Sequence, residues 1–434
     1  MNGHGEFEAE VLVLGAGAAG LLAARELSKD RKVIVIEAQN RVGGRIESLQ
    51  IGNDPLPVEL GPEFIHGHVA ETFAILRESN LIAIDLPDTH VDVDQGKFID
   101  SAQDWDVAID VVERLNHYSG EDCSFAEFLS RQENVPQPAR DKAIAFVEGY
   151  NAARQGDISA LALGEAGRAE GASDSASRQF HLSGRYDRLT DTLSASIPLP
   201  SHVILNTRVR AIEWQPGDVK VRVTGPNGDA VYSAPAVVIA LPLGALQSDA
   251  ITFTPELPTR AALREALAMG PVVKVIVRFP DPFWEKHSFD LSFLHDASAA
   301  FPTWWTTLPR RTGQLTGWCG GAAADRLPED EHAIRQAAID SLSRIFGRDG
   351  KEIEADIEQF WMKDWRSDTA GGAYSYVRVG GIEAANKLAD PIENTLFMAG
   401  EHTHVALIGT VAGALASAHR VVEQVRDRCP AALW

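Results

Sequence analysis

Val11-Leu-Val-Leu-Gly-Ala-Gly-Ala-Ala-Gly20 reads as a short buried strand running into a glycine turn. A helix-forming run, Leu21–Ser28, follows, and then a second apolar strand, Val33-Ile-Val-Ile36, which leads into Glu37 and Ala38. Strand, turn, helix and strand fit within about 30 residues, the size of one βαβ unit. A lone Gly-x-Gly-x-x-Gly is weak evidence, because glycine turns also serve purely structural ends. Here the context gives each glycine a separate role. Gly15 permits the tight turn, Gly17 lets a pyrophosphate come close to the backbone, and Gly20 lets helix and strand approach. Gly17, Ala18 and Ala19 open the helix, whose unpaired N–H groups and positive dipole end suit phosphate oxygens. Glu37 lies 22 positions after Gly15 (37 − 15), where a carboxylate binds ribose hydroxyls and disfavours a 2′-phosphate. The unit is therefore read as a dinucleotide site.

Beyond it, Arg41-Val-Gly-Gly-Arg45 adds a second close backbone approach, at Gly43 and Gly44, beside two arginines suited to bidentate phosphate contacts. After Gly61 the pattern turns helical, over Ala70–Ser79, Trp105–His117, Ser124–Arg131 and Ala139–Ala153. Gly164–Ser177, rich in small and polar residues, reads as a loop. Short strands return at Val203–Leu205, Val209–Trp214, Val219–Thr224 and Val237–Ala240, with Pro226-Asn-Gly-Asp229 as a hairpin turn. A strand over Lys274–Phe279, a helix over Glu331–Phe346, strands around Tyr374–Val379 and Thr395–Ala399, and a helix from about Thr410 to Arg428 follow.

The 434 residues, 45% hydrophobic and 23% charged, suffice for two or three domains with sizeable cores. No run approaches the ~18 apolar residues of a membrane span, and the polar, acidic Met1–Glu10 does not read as a secretory leader. Against 40 basic residues stand 61 acidic ones, a formal charge of −21 that repels nucleic acid and anionic membranes and attracts cations. Neither nucleic acid nor membrane is an expected partner, although an acidic surface also simply aids solubility. Three scattered cysteines (Cys123, Cys319, Cys429) make neither a disulfide framework nor a metal site, and a cytoplasmic location is the default. His402 and His404 have no further ligand near them in sequence, so no metal is expected.

Seven blocks in order along nearly the whole chain resemble the flavin-containing amine oxidases. They are the glycine turn, Arg41–Arg45, Glu59-Leu-Gly-Pro-Glu-Phe-Ile-His-Gly67, Ala240-Leu-Pro-Leu243, the Lys274 strand, Gly372-Ala-Tyr-Ser-Tyr376 and Ala399-Gly-Glu-His-Thr403. That family includes monoamine oxidases, polyamine oxidases, L-amino acid oxidases and lysine-specific histone demethylases. The resemblance implies an α/β fold. A Rossmann-type FAD-binding domain (1–67, 181–260 and 381–434) would be interleaved with a mixed-sheet and helical substrate domain (68–180 and 261–380). It also implies FAD, held by Gly15, Gly17, Ala18, Ala19, Gly20, Glu37, Ala38, Gly43, Gly44, Arg45, Gly61, Pro62, Glu63, Phe64, Val209, Trp365, Gly400, Glu401, Thr410 and Val411. In the family, Val209 contacts adenine through its backbone, Glu401 binds the ribityl chain, and the helix near Thr410 aims its N–H groups at the N1/O2 edge of reduced flavin. Ala373 stands where monoamine oxidases carry the cysteine that bonds to flavin, so the FAD should be non-covalent.

Lys274 lies in Val272-Val-Lys-Val-Ile-Val277, a strand with β-branched neighbours on both faces. A buried ammonium must be paired, deprotonated or hold a water, and composition alone favours a structural lysine. The resemblance reverses that preference, since the matching lysine binds a water at flavin N5. By the same resemblance Trp365 and Tyr374 flank the flavin, Tyr374 as one wall of an aromatic box. Thr410 takes the place of the second aromatic wall, leaving that box half-open. His66, in Phe64-Ile-His-Gly67, matches a tunnel histidine of animal polyamine oxidases, and Glu63 is a candidate attractor of a distal ammonium. Each of these four residues also has a bland reading as core or loop. The catalytic set is thus Lys274, Tyr374, His66 and Trp365, the substrate a polyamine, diamine or monoamine, and oxygen the second substrate; a homodimer is left open. Alternatives are an L-amino acid oxidase, a protoporphyrinogen oxidase or carotenoid desaturase type of FAD enzyme, and a non-catalytic FAD-binding protein.

Overall fold

The computed structural model describes residues 6–429 apart from 55, 68, 88, 100, 172–177 and 289. Met1–Gly5 of the acidic N-terminal stretch lie outside the described residues.

Val11–Leu14 forms the centre of a five-stranded parallel sheet in the order His202–Ile204, Val33–Ile36, Val11–Leu14, Ala236–Ile239, Leu396–Met398. Val, Ile, Leu and Ala fill its three inner strands because both faces are covered, which leaves no room for a polar alternation. One face carries the helices Ala18–Leu27 and Val411–Arg428, whose Leu21, Leu22, Leu415 and Val421 are fully buried against it. The other face meets a second five-stranded sheet that includes Arg208–Gln215, Asp218–Gly225 and Gly228–Ala234. There Asp218–Gly225 alternates buried and exposed residues, as a sheet with one wet face requires.

The Lys274 strand, Val272–Arg278, lies inside a seven-stranded mixed sheet between Gln359–Asp364 and Gln314–Gly320. Every residue from Val272 to Val277 is buried. The helix Glu331–Phe346 is part of this sheet's core; it starts on an Asp330 side-chain cap to the Ala333 N–H and stops at left-handed Gly347.

Two expectations are corrected. The helical pattern after Gly61 is broken by strands at Ala83–Asp85, His90–Asp94 and Lys97–Ile99, the last two joined to the seven-stranded sheet. Gln95 and Gly96, both at positive φ, make their tight turn, and the strands are too short to show a period. The loop expected over Gly164–Ser177 is instead helix through Gly171, within Ala160–Gly171, while 172–177 lie outside the described residues. Its glycines serve contact rather than looseness. A Cβ on Gly164 would sit 2.2 Å from the Leu115 carbonyl oxygen, and one on Gly167 2.1 Å from Asn116 Oδ1.

Candidate active site

The parallel strands end on Gly15, Glu37, Ala240 and Gly400, and these line one cavity of about 1510 Å³. A crevice beyond the carboxyl ends of such strands is where this architecture places ligands. At its nucleotide end Gly15 takes φ +102°, and a Cβ there would lie 2.7 Å from the Ala240 carbonyl oxygen. Gly17 is the N-cap of Ala18–Leu27 with no side-chain cap, so the first N–H groups of the helix are left to the cavity wall that Ala18 and Ala19 line. Gly20 does not line the cavity; it stands behind, where a Cβ would meet the Gly15 oxygen at 1.9 Å. The cofactor contact expected of it is corrected to support of the turn.

Glu37 is buried and accepts the N–H groups of Ala16 (2.7 Å) and Gln39 (2.8 Å). A carboxylate has about four acceptor sites, so it fixes the turn and keeps capacity for hydroxyls. Ala38, Gly43, Gly44 and Val209 line the same end. Arg41, expected as a phosphate donor, is consumed by the carbonyls of Val42, Gly44 and Ile46 and by Glu47. Arg45 reaches the other way, Nη1 donating to the Ala373 carbonyl (3.0 Å) and to Glu401 Oε1 (2.8 Å). Glu401 Oε2 accepts from Ser375 and from the Gly409 N–H. Burial would raise the Glu401 carboxyl, but Arg45 and these hydrogen bonds outweigh it and hold it below the usual range. Thr410 Oγ1 accepts the Gly413 N–H and so caps Val411–Arg428; Thr410 and Val411 line the cavity where that helix begins.

The chemistry end gathers residues from four distant segments. Lys274 is 1% exposed; its Nζ donates to Glu63 Oε2 (2.9 Å) and to the Gly61 carbonyl (3.1 Å), and lies 5.6 Å from the Trp305 ring centroid. Of the three states open to a buried ammonium, the structure shows the paired one. Burial would raise the Glu63 carboxyl, and the Lys274 ammonium holds it low instead. The distal-ammonium role expected for Glu63 is therefore corrected: the carboxylate is already committed to a cation. Gly61, Pro62, Phe64 and His66 line the wall beside it, with Phe64 5.2 Å from Trp305. His66 meets Tyr150 edge-on at 5.2 Å, and burial pushes its imidazole down to about 4, so it is neutral at physiological pH.

Trp365 is buried and donates to the Leu60 carbonyl. Tyr374 Oη donates to the Tyr150 carbonyl (2.7 Å), and burial pushes its phenol far up, so it stays protonated. Thr410 lines the cavity as expected, and Trp318 is a further aromatic ring beside Tyr374. Its indole lies near-parallel to Tyr374 (16°, centroids 6.4 Å) and donates to the Gly149 carbonyl. Sequence reasoning misses Trp318 because its strand, Gln314–Gly320, carries no clear period; the register that sets it opposite Lys274 belongs to the sheet. Past this wall the cavity continues between Ala102–Glu113 and Gln137–Asn151, along Asp104, Trp105, Asp141 and Glu148. Among the described residues no cluster fits a metal ion, and no helix is long and apolar enough to cross a membrane.

A family model described as flavin containing amine oxidoreductase matches residues 18–426, and the chain belongs to that family. It is 28% identical over 96% of its length to lysine-specific histone demethylase 1 homolog 2 of Oryza sativa subsp. japonica, covering 57% of that protein. It is 26% identical to polyamine oxidase 3 of the same plant, covering 89% of it. The chain spans little more than half the length of four of the curated demethylases it matches. Among solved structures, a putrescine oxidase double mutant superposes with a TM-score of 0.81 at 22% identity, over 98% of this chain and 100% of that one. Cyclohexylamine oxidase from Brevibacterium oxydans IH-35A gives 0.80 at 21%, over 96% and 99%. The fold is thus the mixed α/β fold of those oxidases.

Proposed function

We propose that this chain is an FAD-dependent amine oxidase that removes hydride from the carbon next to an amine nitrogen, with imine hydrolysis and oxygen reduction to peroxide. The observation that carries the reading is the juxtaposition of Lys274, Trp318, Trp365 and Tyr374 at one end of a cavity whose other end is an uncapped helix N-terminus and a glycine turn. Residues 1–67, 181–260 and 381–434 would hold FAD, and 68–180 with 261–380 the amine. Bound FAD supplies the two-electron acceptor. The protein supplies the rest. Trp318, Trp365 and Phe64 exclude water, and the protonated Tyr374 offers a ring face against which an amine aligns. His66, neutral, can bond an amine nitrogen without charge. The two carboxylates near Lys274, Glu63 and Glu59, are taken by Lys274 and by Ser48 with the Tyr186 N–H. Among the described residues no free carboxylate stands beside Lys274, which suits hydride loss from an amine bound neutral.

FAD is expected to leave the protein on acid or heat denaturation, because Ala373 has no group to bond it and none of the three cysteines lines the cavity. Absorbance of the supernatant measures this; flavin remaining on the denatured chain would reject it. The long acidic extension past Tyr374 favours an extended cation. kcat/KM for a diamine or polyamine is expected to exceed that for benzylamine by about tenfold or more, a difference of about 1.4 kcal/mol. Peroxide release across both classes decides it, and preference for benzylamine overturns it.

A further inference from the structure

The Lys274–Glu63 contact is unusual in what it costs. Lys274 is 1% exposed and the Glu63 side chain 9%. Two charges withdrawn from water in this way persist only with close geometry and with their remaining bonding capacity satisfied. The geometry is close, and the bonding capacity is satisfied but for one donor. An ammonium has three N–H donors, and two are used, on Glu63 Oε2 and on the Gly61 carbonyl. The cavity, which Lys274 lines, is where the third is left. Behind Glu63, His181 Nδ1 stands 3.8 Å from Oε1, and the His181 ring lies 5.0 Å from that of Phe64.

From this geometry we infer that Glu63 is the positioning residue of the site, clamping Lys274 so that one N–H faces the cavity and balancing its charge there. This rests on the proposed oxidase function for its kinetic consequence and on the structure alone for its electrostatic one. The pair is neutral as a unit, so Lys274 offers a fixed hydrogen-bond donor rather than an unbalanced cation.

The other groups facing Lys274 do not take over this role. Lys363, directly opposite in register, is occupied by Glu47 and Asp368. Glu59 is bonded by Ser48 and the Tyr186 N–H, and burial raises it to about 7. Burial lowers the His181 imidazole, as do Lys274 and Arg310 beyond it, so its charged form is disfavoured. Glu63 supplies the one close counter-charge.

Glu63→Gln keeps the shape and an acceptor but removes the charge. It leaves an ammonium buried without a counter-ion, and burial disfavours the charged form. Between the point where the buried lysine loses its proton and the ~10.4 of an unfolded lysine, the unfolded chain binds more protons, so stability rises with pH. The expected result is a thermal midpoint for Glu63→Gln that climbs from pH 7 to 10 relative to the native protein. Flavin reoxidation in the same variant should be near-native at pH 6 and fall about tenfold or more by pH 9. A midpoint lowered equally at all pH values, with native reoxidation, overturns the inference. If the single variant does not accumulate folded, Lys274→Met/Glu63→Gln is the deciding protein. With no lone buried charge it should fold and show no such slope, and failure to fold better than Glu63→Gln overturns the proposal. The thermal arm stands whether or not flavin is bound, so a protein that shows the slope but holds no flavin faults the oxidase reading and not the clamp.

Discussion

Lys274→Met is expected to bind flavin and yet to slow its reoxidation by oxygen about tenfold or more, each decade being about 1.4 kcal/mol of barrier. Methionine keeps the length and apolar stem and removes the donor that faces the cavity. The glycine turn and Glu37 lie at the other end of the cavity, so flavin content should hold. Anaerobic reduction by substrate should change less, since Tyr374, Trp318 and His66 are untouched. The variant also strands Glu63, and a lone buried charge costs about 3–5 kcal/mol. Its sign is checkable. Unpaired, the carboxyl is raised by burial above its unfolded value, so the penalty is absent at low pH and sets in as pH rises past ~4.3. Adding Glu63→Gln should restore stability without restoring reoxidation. Stopped-flow traces of both half-reactions decide the case, and native reoxidation in a fully flavinated Lys274→Met protein would sink the catalytic role.

Gly20→Ala should be the second large effect, and it acts on binding. The added Cβ would lie 1.9 Å from the Gly15 carbonyl oxygen, a backbone atom that cannot swing aside. Helix or turn must move, and overpacking of this kind costs about 1–3 kcal/mol. Because Gly15, Gly17 and the first helical N–H groups form the cradle, the shift is felt where the pyrophosphate would lie. Flavin Kd should rise about tenfold or more, read as lost 450 nm absorbance after gel filtration. Gly156→Ala, whose Cβ would meet nothing within 4 Å, is the control. Equal flavin content in the two proteins would remove the cradle from the account.

What the sequence made legible is local. The strand, turn and helix of residues 11–28 are written in neighbouring side chains, and so is the apolar run around Lys274. The partners of those elements are not. Glu63 and Lys274 are brought together by a loop and a strand from different parts of the chain, so the pair has no signature in spacing. Arg41 and Arg45 look alike in sequence; only the fold turns one into carbonyls and the other towards Glu401. Trp318 is hidden in a strand without a clear period, and Gly164 and Gly167 mislead because glycine marks both loose backbone and tight contact.

The parallel sheet has a consequence for how the protein is made. Its central strand, Val11–Leu14, is synthesised well before one of its two neighbours: it pairs with Val33–Ile36 and Ala236–Ile239, and the sheet is completed by Leu396–Met398. During translation this βαβ unit therefore waits, its sheet incomplete, until Leu396–Met398 has emerged. Glu401 and the helix Val411–Arg428 emerge after that strand. A complete flavin cradle cannot exist until they have emerged, and cofactor capture must follow their pairing. Such long-range pairing folds slowly and exposes sticky edges meanwhile. Flavin supply in the cell would then govern how much chain reaches the native state, and not only how much of it is active.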